Sequence, residues 1–386
     1  MIDPKAILAG RVHRGVPTGA IVSITISSLC LAGILGLFLL TGGPIFIIAT
    51  ILSVVTLIPM LAGVMALDRL EPEPRHLLVM VFLWGAGASV VLSIIFSLLG
   101  EVILRPGLGD DVEIASAIVI APIIEEITKA LVLFGLFWWR RSEINGITDG
   151  VVYAAVCGLG FAAAENIGYY IAAAFEGGGA SMAGVFILRG ILSPFCHPVF
   201  TAMTGISLAI AIHQQNRAVR FFLPLAGLVL AISLHSIWNA SALIGIEALG
   251  FTFLFMLGVL VSIVVGVRVD RKRTLRRLQA CLMQYTHTGL VTSDDLYMLS
   301  TLKARKQARN WARATYGKNG FNAMRDYQQA CTKLTMLHDQ VNDGLMSAQQ
   351  FEALRGGLLT LMSLARDAFL GPNHPAEPMM HLPPQA

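Results

Sequence analysis

Two adjacent carboxylates, Glu125 and Glu126, precede Lys129 in the apolar stretch APIIEEITKALVLF. On a helix Lys129 is an i,i+4 neighbour of the first acid and an i,i+3 neighbour of the second, so it can partly neutralise either. The two acids themselves lie about 100° apart around the helix axis. One can reach a reacting centre while the other holds an orienting partner. A third acid, Glu165, with Asn166 beside it, ends FAAAEN; His197 stands between Pro194 and Pro198; and His235 and Asn239 are one turn apart in HSIWN. Prolines flanking a histidine loosen the backbone ladder where a cavity would be useful. Acids, imidazoles and an amide are groups that can move protons and stabilise developing charge, chemistry that serves hydrolysis and a proton relay alike.

These residues sit in a chain of 386 residues that is 55% hydrophobic and only 13% charged. Soluble domains average about 25% charged residues, so the apolar excess must face lipid. Eight windows are long and apolar enough to cross a bilayer: 19–41, 44–67, 77–100, 114–139, 149–174, 190–212, 222–246 and 249–267. The fold class is therefore all-α, a polytopic membrane protein of about eight transmembrane helices with a C-terminal helical cytosolic tail. Fifteen Lys and Arg residues fall on one side of these windows and two, Arg105 and Arg189, on the other. That bias predicts both termini in the cytoplasm. Residues 1–18 are read as a cytosolic N-terminus, 19–267 as the membrane domain, 268–370 as a basic helical domain and 371–386 as a Pro-rich disordered tail. Residues 1–267 carry a net charge of −3 and residues 268–386 a net +7. The Arg/Lys cluster at 268–277, immediately beyond a span, reads as a stop-transfer signal on anionic headgroups rather than a nucleic-acid site. Five cysteines without C-x-x-C pairing argue against a disulfide framework.

Apart from Asp149, the first residue of its window, the Asp, Glu, Lys and Arg residues within the windows are Glu125, Glu126, Lys129 and Glu165. Each costs roughly 2.5–3.5 kcal/mol at the bilayer centre on insertion scales, which marks such residues as functional and inward-facing. Counted from the cytoplasmic window ends, Glu126, Glu165, His197 and His235 all lie roughly 20 Å deep at 1.5 Å per residue. Four helices thus bring acids or imidazoles to one layer.

Taken in order, EEITK, FAAAEN, the histidine of SPFCHPVFTAMTG and HSIWN resemble the motifs of the PrsW family of bacterial intramembrane proteases, and LDRLEPEP (67–74) is similar to that family's acidic loop. More distantly the pattern is similar to CAAX-processing and Abi-type membrane proteases, although Glu165 stands where those carry histidine. The resemblance covers 67–239 and leaves the tail outside. It implies peptide-bond hydrolysis in a bacterial inner membrane, with single-span proteins such as anti-sigma-factor-like regulators as substrates. The expected catalytic set is Glu125, Glu126, Lys129, Glu165, Asn166, His197, His235 and Asn239, with Glu126 the first choice of base and Glu125 the second. In a second mechanism Glu165, His197 and His235 are ligands of a catalytic Zn2+. The cofactor is thus none or zinc, with the metal-free glutamate mechanism slightly favoured. A proton- or cation-coupled transporter and a membrane scaffold acting through its tail are the competing functions. The expected partners are a single-span membrane substrate, the lipid bilayer and a cytosolic protein on the tail, with no nucleic acid.

Overall fold

A computed structural model describes residues 18–141 and 144–370; the expected disordered tail at 371–386 and nearly all of the N-terminal segment lie outside them. The described residues are helical, with no strand among them. They form two compact units, one of residues 18–68 with 73–267 and one of 69–72 with 268–370.

In the first unit α1 (Thr18–Gly42) and α2 (Pro44–Leu67) are followed by α3 (Arg75–Leu83), a π-helical turn (Trp84–Ser89) and α4 (Val90–Leu108). A π-helical turn at Ser116–Ile120 leads into α5 (Ala121–Trp139). Then come α6 (Ile147–Val185), a third π-helical segment (Phe186–Leu192), α7 (Cys196–Ile212), α8 (Arg217–Ile244) and α9 (Ile246–Met283). The eight apolar windows map onto six continuous helical runs long and apolar enough to span a membrane. Two of these runs are 65 and 66 residues long, about 98 Å if straight, which is three times the hydrocarbon thickness. Neither is straight. Gly109 (φ 57°) ends α4, and Gly178 (φ 70°) breaks α6, in backbone conformations that only glycine adopts without strain.

α6 is the central helix. From Asp149 to Ala164 its residues are buried almost without interruption, as expected of a helix apolar on every side. Its glycines explain how neighbours come so close. A Cβ on Gly160 would collide with the backbone of Phe82, and one on Gly150 or Gly205 with the backbone of the opposite glycine. A Cβ on Gly158 would lie 2.8 Å from the carbonyl oxygen of His197. Small residues let membrane helices meet backbone to backbone. Across this seam α6 fixes the heights of α3 and α7. Around it pack Phe161 with Ile34, Ala86 and Val90, and, toward α8 and α9, Val199, Phe200, Leu234, Trp238 and Met256.

The second unit continues α9 from residue 268 and adds α10 (Ser293–Leu299), α11 (Leu302–Asn342, broken at Gly317) and α12 (Ala348–Leu370). Helices near 293–316, 319–341 and 346–370 are what its apolar spacing predicts. α10 starts on a capping box between Thr292 and Asp295. Its core joins Leu278, Leu282, Leu299, Tyr327, Leu334, Leu358 and Phe369. Buried Arg305 donates to the Gln328 carbonyl and to Thr332 Oγ1, and burial pulls its pKa down to about 10.

Candidate active site

The residues singled out by type and spacing come together in the first unit around one cavity of about 350 Å³. Glu125, Glu165, Asn166, His197, His235 and Asn239 line it, contributed by α5, α6, α7 and α8. Lys129 (0% exposed) and Glu126 (1%) lie behind that wall.

Lys129 organises the site. Its Nζ donates to Glu126 Oε1 at 2.8 Å, to Glu125 Oε2 at 3.4 Å and to His197 Nδ1 at 3.1 Å. It also sits 3.8 Å from the centre of the Phe161 ring, a cation–π contact that accounts for Phe161 one turn before Glu165. An ammonium can only donate. His197 Nδ1 must therefore accept, so the ring proton is on Nε2, which meets Glu165 Oε2 at 3.0 Å.

Glu126 is saturated. Its Oε1 takes Lys129 Nζ and, at 3.2 Å, His235 Nδ1, and its Oε2 takes the Thr201 hydroxyl at 3.1 Å. Because that carboxylate accepts, His235 donates from Nδ1, and in the neutral ring Nε2 carries the lone pair, 3.9 Å from Glu125 Oε2. The His235 ring is stacked on Phe200, with centroids 4.8 Å apart. Among the described residues Glu125 has one long hydrogen bond, from Lys129, besides the 3.9 Å approach of His235, and it lines the cavity. Of the two acids, Glu126, the first choice of base from sequence, thus lies in the wall with both oxygens engaged, and Glu125, the second choice, lines the cavity.

Several other placements differ from expectation. Asn239 does not orient His235; its Nδ2 donates to the Ala117 carbonyl at 2.8 Å, tying α8 to the helical turn before α5. Glu165 and Asn166 together hold one guanidinium: Arg189 Nη2 is bonded to Glu165, and Arg189 Nε donates to Asn166 Oδ1 at 2.8 Å. The Arg189 guanidinium stacks 3.9 Å from the Tyr169 ring centre. Its place just before an apolar window puts Arg189 in an outer loop on sequence alone, whereas the structure puts it in the cavity wall. A signal is present, since Arg189 is the lone Asp, Glu, Lys or Arg between Glu176 and His197. Thr201, one turn after His197, carried no such signal, because threonine is common in membrane helices.

The expected metal set also shifts. Glu165 is engaged by Arg189, and the carboxylate that gathers with both imidazoles is that of Glu125: Glu125, His197 and His235 each offer a ligand atom, all within 4.8 Å of one another. One carboxylate and two imidazoles suit a catalytic zinc. His235 has the geometry metal-bound imidazoles use, with Nδ1–H on a carboxylate and Nε2 free. Tetrahedral zinc holds its ligands roughly 3.5 Å apart, so the three residues fit after a contraction of about 1 Å and one exchange of partner at His197.

A helical multi-pass membrane protein with an acid–imidazole chamber between its central helices is the class that fold and site define. The sequence profile described as "PrsW family intramembrane metalloprotease" matches residues 73–267. The chain belongs to that family, and it is a membrane protease. It is 26% identical over 191 residues to "Protease PrsW" of Clostridioides difficile (strain 630), covering 49% of this chain and 77% of that protein. It is 28% identical over 172 residues to "Protease PrsW" of Geobacillus kaustophilus (strain HTA426), covering 45% of this chain and 69% of that protein. No solved structure matches. The family match begins after α2 and ends where the second unit starts.

Proposed function

We propose that this protease cleaves single-span, membrane-anchored proteins, anti-sigma-factor-like regulators among them, at a peptide bond admitted to the cavity between α5, α6, α7 and α8, and that Glu125 is the base that activates water. The observation that carries the reading is the convergence of the Glu125 carboxylate and the His235 Nε2 lone pair on one polar chamber, each steadied from behind by Lys129 or Glu126. Water placed between them gives a proton to Glu125, and the resulting hydroxide attacks the scissile carbonyl carbon. Asn239 retains a second amide hydrogen and Arg189 further N–H groups, donors suited to the developing oxyanion. Glu125 then returns its proton to the leaving amine as the C–N bond breaks. A general base of this kind contributes about 10²–10⁴-fold. The setting we propose is a bacterial inner membrane with both chain ends in the cytoplasm, as the Lys/Arg bias supports.

The family's description and the gathering of Glu125, His197 and His235 favour a second reading, in which those three side chains hold a zinc ion. When bound there, zinc would polarise the scissile carbonyl and acidify a water. The metal-free reading is favoured by His197, both of whose ring nitrogens are already engaged, by Lys129 and Glu165. The test is cleavage of a membrane-anchored peptide by purified protein. Glu125→Gln and His235→Ala should abolish turnover in a protein that remains folded; cleavage retained in both removes the assignment. Metal content and chelator sensitivity of active protein divide the two mechanisms.

A further inference from the structure

The second unit has one surface that neither its fold nor the protease site uses. Between Asp295 and Asp326 the chain contains Lys303, Arg305, Lys306, Arg309, Arg313, Lys318 and Arg325 and no acid. Arg305 is buried, and Arg309 donates to Gln328 Oε1 at 2.6 Å, so both belong to the bundle. The other basic residues are exposed. On the first half of α11, Ala304, Ala308 and Ala312 are buried at i,i+4 spacing, and Lys303, Lys306 and Arg313 project from the opposite side of the same turns. Lys303, Lys306, Arg313 and Lys318 make no ion pair among the described residues. Two large aromatics flank this surface, between it and the buried alanine stripe: Trp311 (36% exposed) and Tyr316 (44%), ring edge to ring face with centroids 6.1 Å apart. The C-terminal part of the bundle does not share this charge: residues 326–370 carry five acids and three bases.

We infer that residues 303–318 form a docking face for anionic phospholipid headgroups on the membrane surface from which the C-terminal unit emerges. Charge complementarity selects the partner. Lys and Arg near an anionic leaflet each attract it, and Trp and Tyr are the side chains that settle at headgroup level. Chain continuity selects the membrane over nucleic acid, which the same charges would attract. α9 runs unbroken from its apolar stretch to Met283, and Lys303 follows only twenty residues later, so the face is always held near the bilayer at high effective concentration. The basic cluster at 268–277 leaves the membrane on that same helix and offers the unit a first contact with the same headgroups.

The full-length protein, carrying a photo-crosslinking phenylalanine analogue in place of exposed Asn310, would be reconstituted into vesicles of phosphatidylcholine, with and without phosphatidylglycerol. After irradiation the adduct is identified by mass. The expected result is a phosphatidylglycerol adduct that falls roughly tenfold in high salt and by a similar factor in K303E/K306E/R313E, as electrostatic docking requires. The salt arm needs no substitution and so stands apart from any effect of the charge reversals on folding. Equal adduct yields in both vesicle types, insensitivity to salt, or adducts only on an added RNA oligonucleotide would each overturn the inference.

Discussion

The roles proposed for the paired acids make opposite demands on two substitutions that differ by one position. Glu126 accepts from Lys129 at 2.8 Å, Thr201 at 3.1 Å and His235 at 3.2 Å, all in a site 1% exposed. In Glu126→Gln the charge is lost, one of these donors meets an amide nitrogen that can only donate, and the carboxylate left hydrogen-bonded to Lys129 is Glu125 at 3.4 Å. Breaking a buried ion pair from one side costs about 3–5 kcal/mol, or about two to four powers of ten in the folded population at ~1.4 kcal/mol per decade. Glu125→Gln removes a carboxylate that lines the cavity and has one long hydrogen bond, so stability should change by about 1 kcal/mol, the scale of a single hydrogen bond. Its cleavage rate should fall by about 10²–10⁴, the scale of a lost general base. Thermal unfolding in detergent, paired with cleavage of a membrane-anchored reporter, reads both quantities on the same samples. A fully stable but inactive Glu126→Gln beside an active Glu125→Gln would refute the reasoning, because it would return the base to the residue with no free oxygen.

Other substitutions probe the supports. Arg189→Leu should lower kcat about ten- to a hundredfold with little change in KM, because Glu165 would lose the cation that aims it at His197; Arg189→Lys should recover part of the loss, and a change in KM alone would argue for substrate binding instead. Gly158→Ala places a methyl group 2.8 Å from the His197 carbonyl oxygen and should cost about 1–3 kcal/mol in unfolding together with a loss of cleavage; wild-type behaviour in both would show that α6 and α7 can separate freely. If Glu125, His197 and His235 hold zinc, dialysis against a strong chelator should remove activity and stoichiometric zinc together, and His235→Ala should lose the metal; full activity in metal-free protein would leave Glu125 to act without it.

Much of the chamber was legible because lipid makes polar residues conspicuous. Glu125, Glu126, Lys129, Glu165, His197 and His235 stood out against apolar windows by insertion cost alone, and the four helices that carry them do meet. What stayed hidden depends on direction rather than depth. Spacing puts Glu125 and Glu126 about 100° apart but does not say which faces the cavity; that follows from Lys129, Thr201 and His235 converging on Glu126. Arg189 was misplaced because an arginine at the end of an apolar window looks like a loop residue, and only the π-helical segment Phe186–Leu192 carries it back toward Glu165. The breaks at Gly109 and Gly178 were equally silent, since the apolar windows mark where helices cross and not how they turn.

The glycine seam has a mechanical consequence. Where Gly160 meets Phe82, and Gly150 meets Gly205, backbones touch with no side chain between them to change rotamer, so α3, α6 and α7 must move as one block. The cavity cannot widen by parting those helices. On the proposed function, substrate admission would fall to the stretch held between two interruptions, Gly177–Gly178 before it and Ser193–Pro194 after it, which carries Arg189 near its end. A substrate that displaces Arg189 from Glu165 would alter the Glu165–His197 contact in the same motion, so that arrival at the door is registered at the reacting centre.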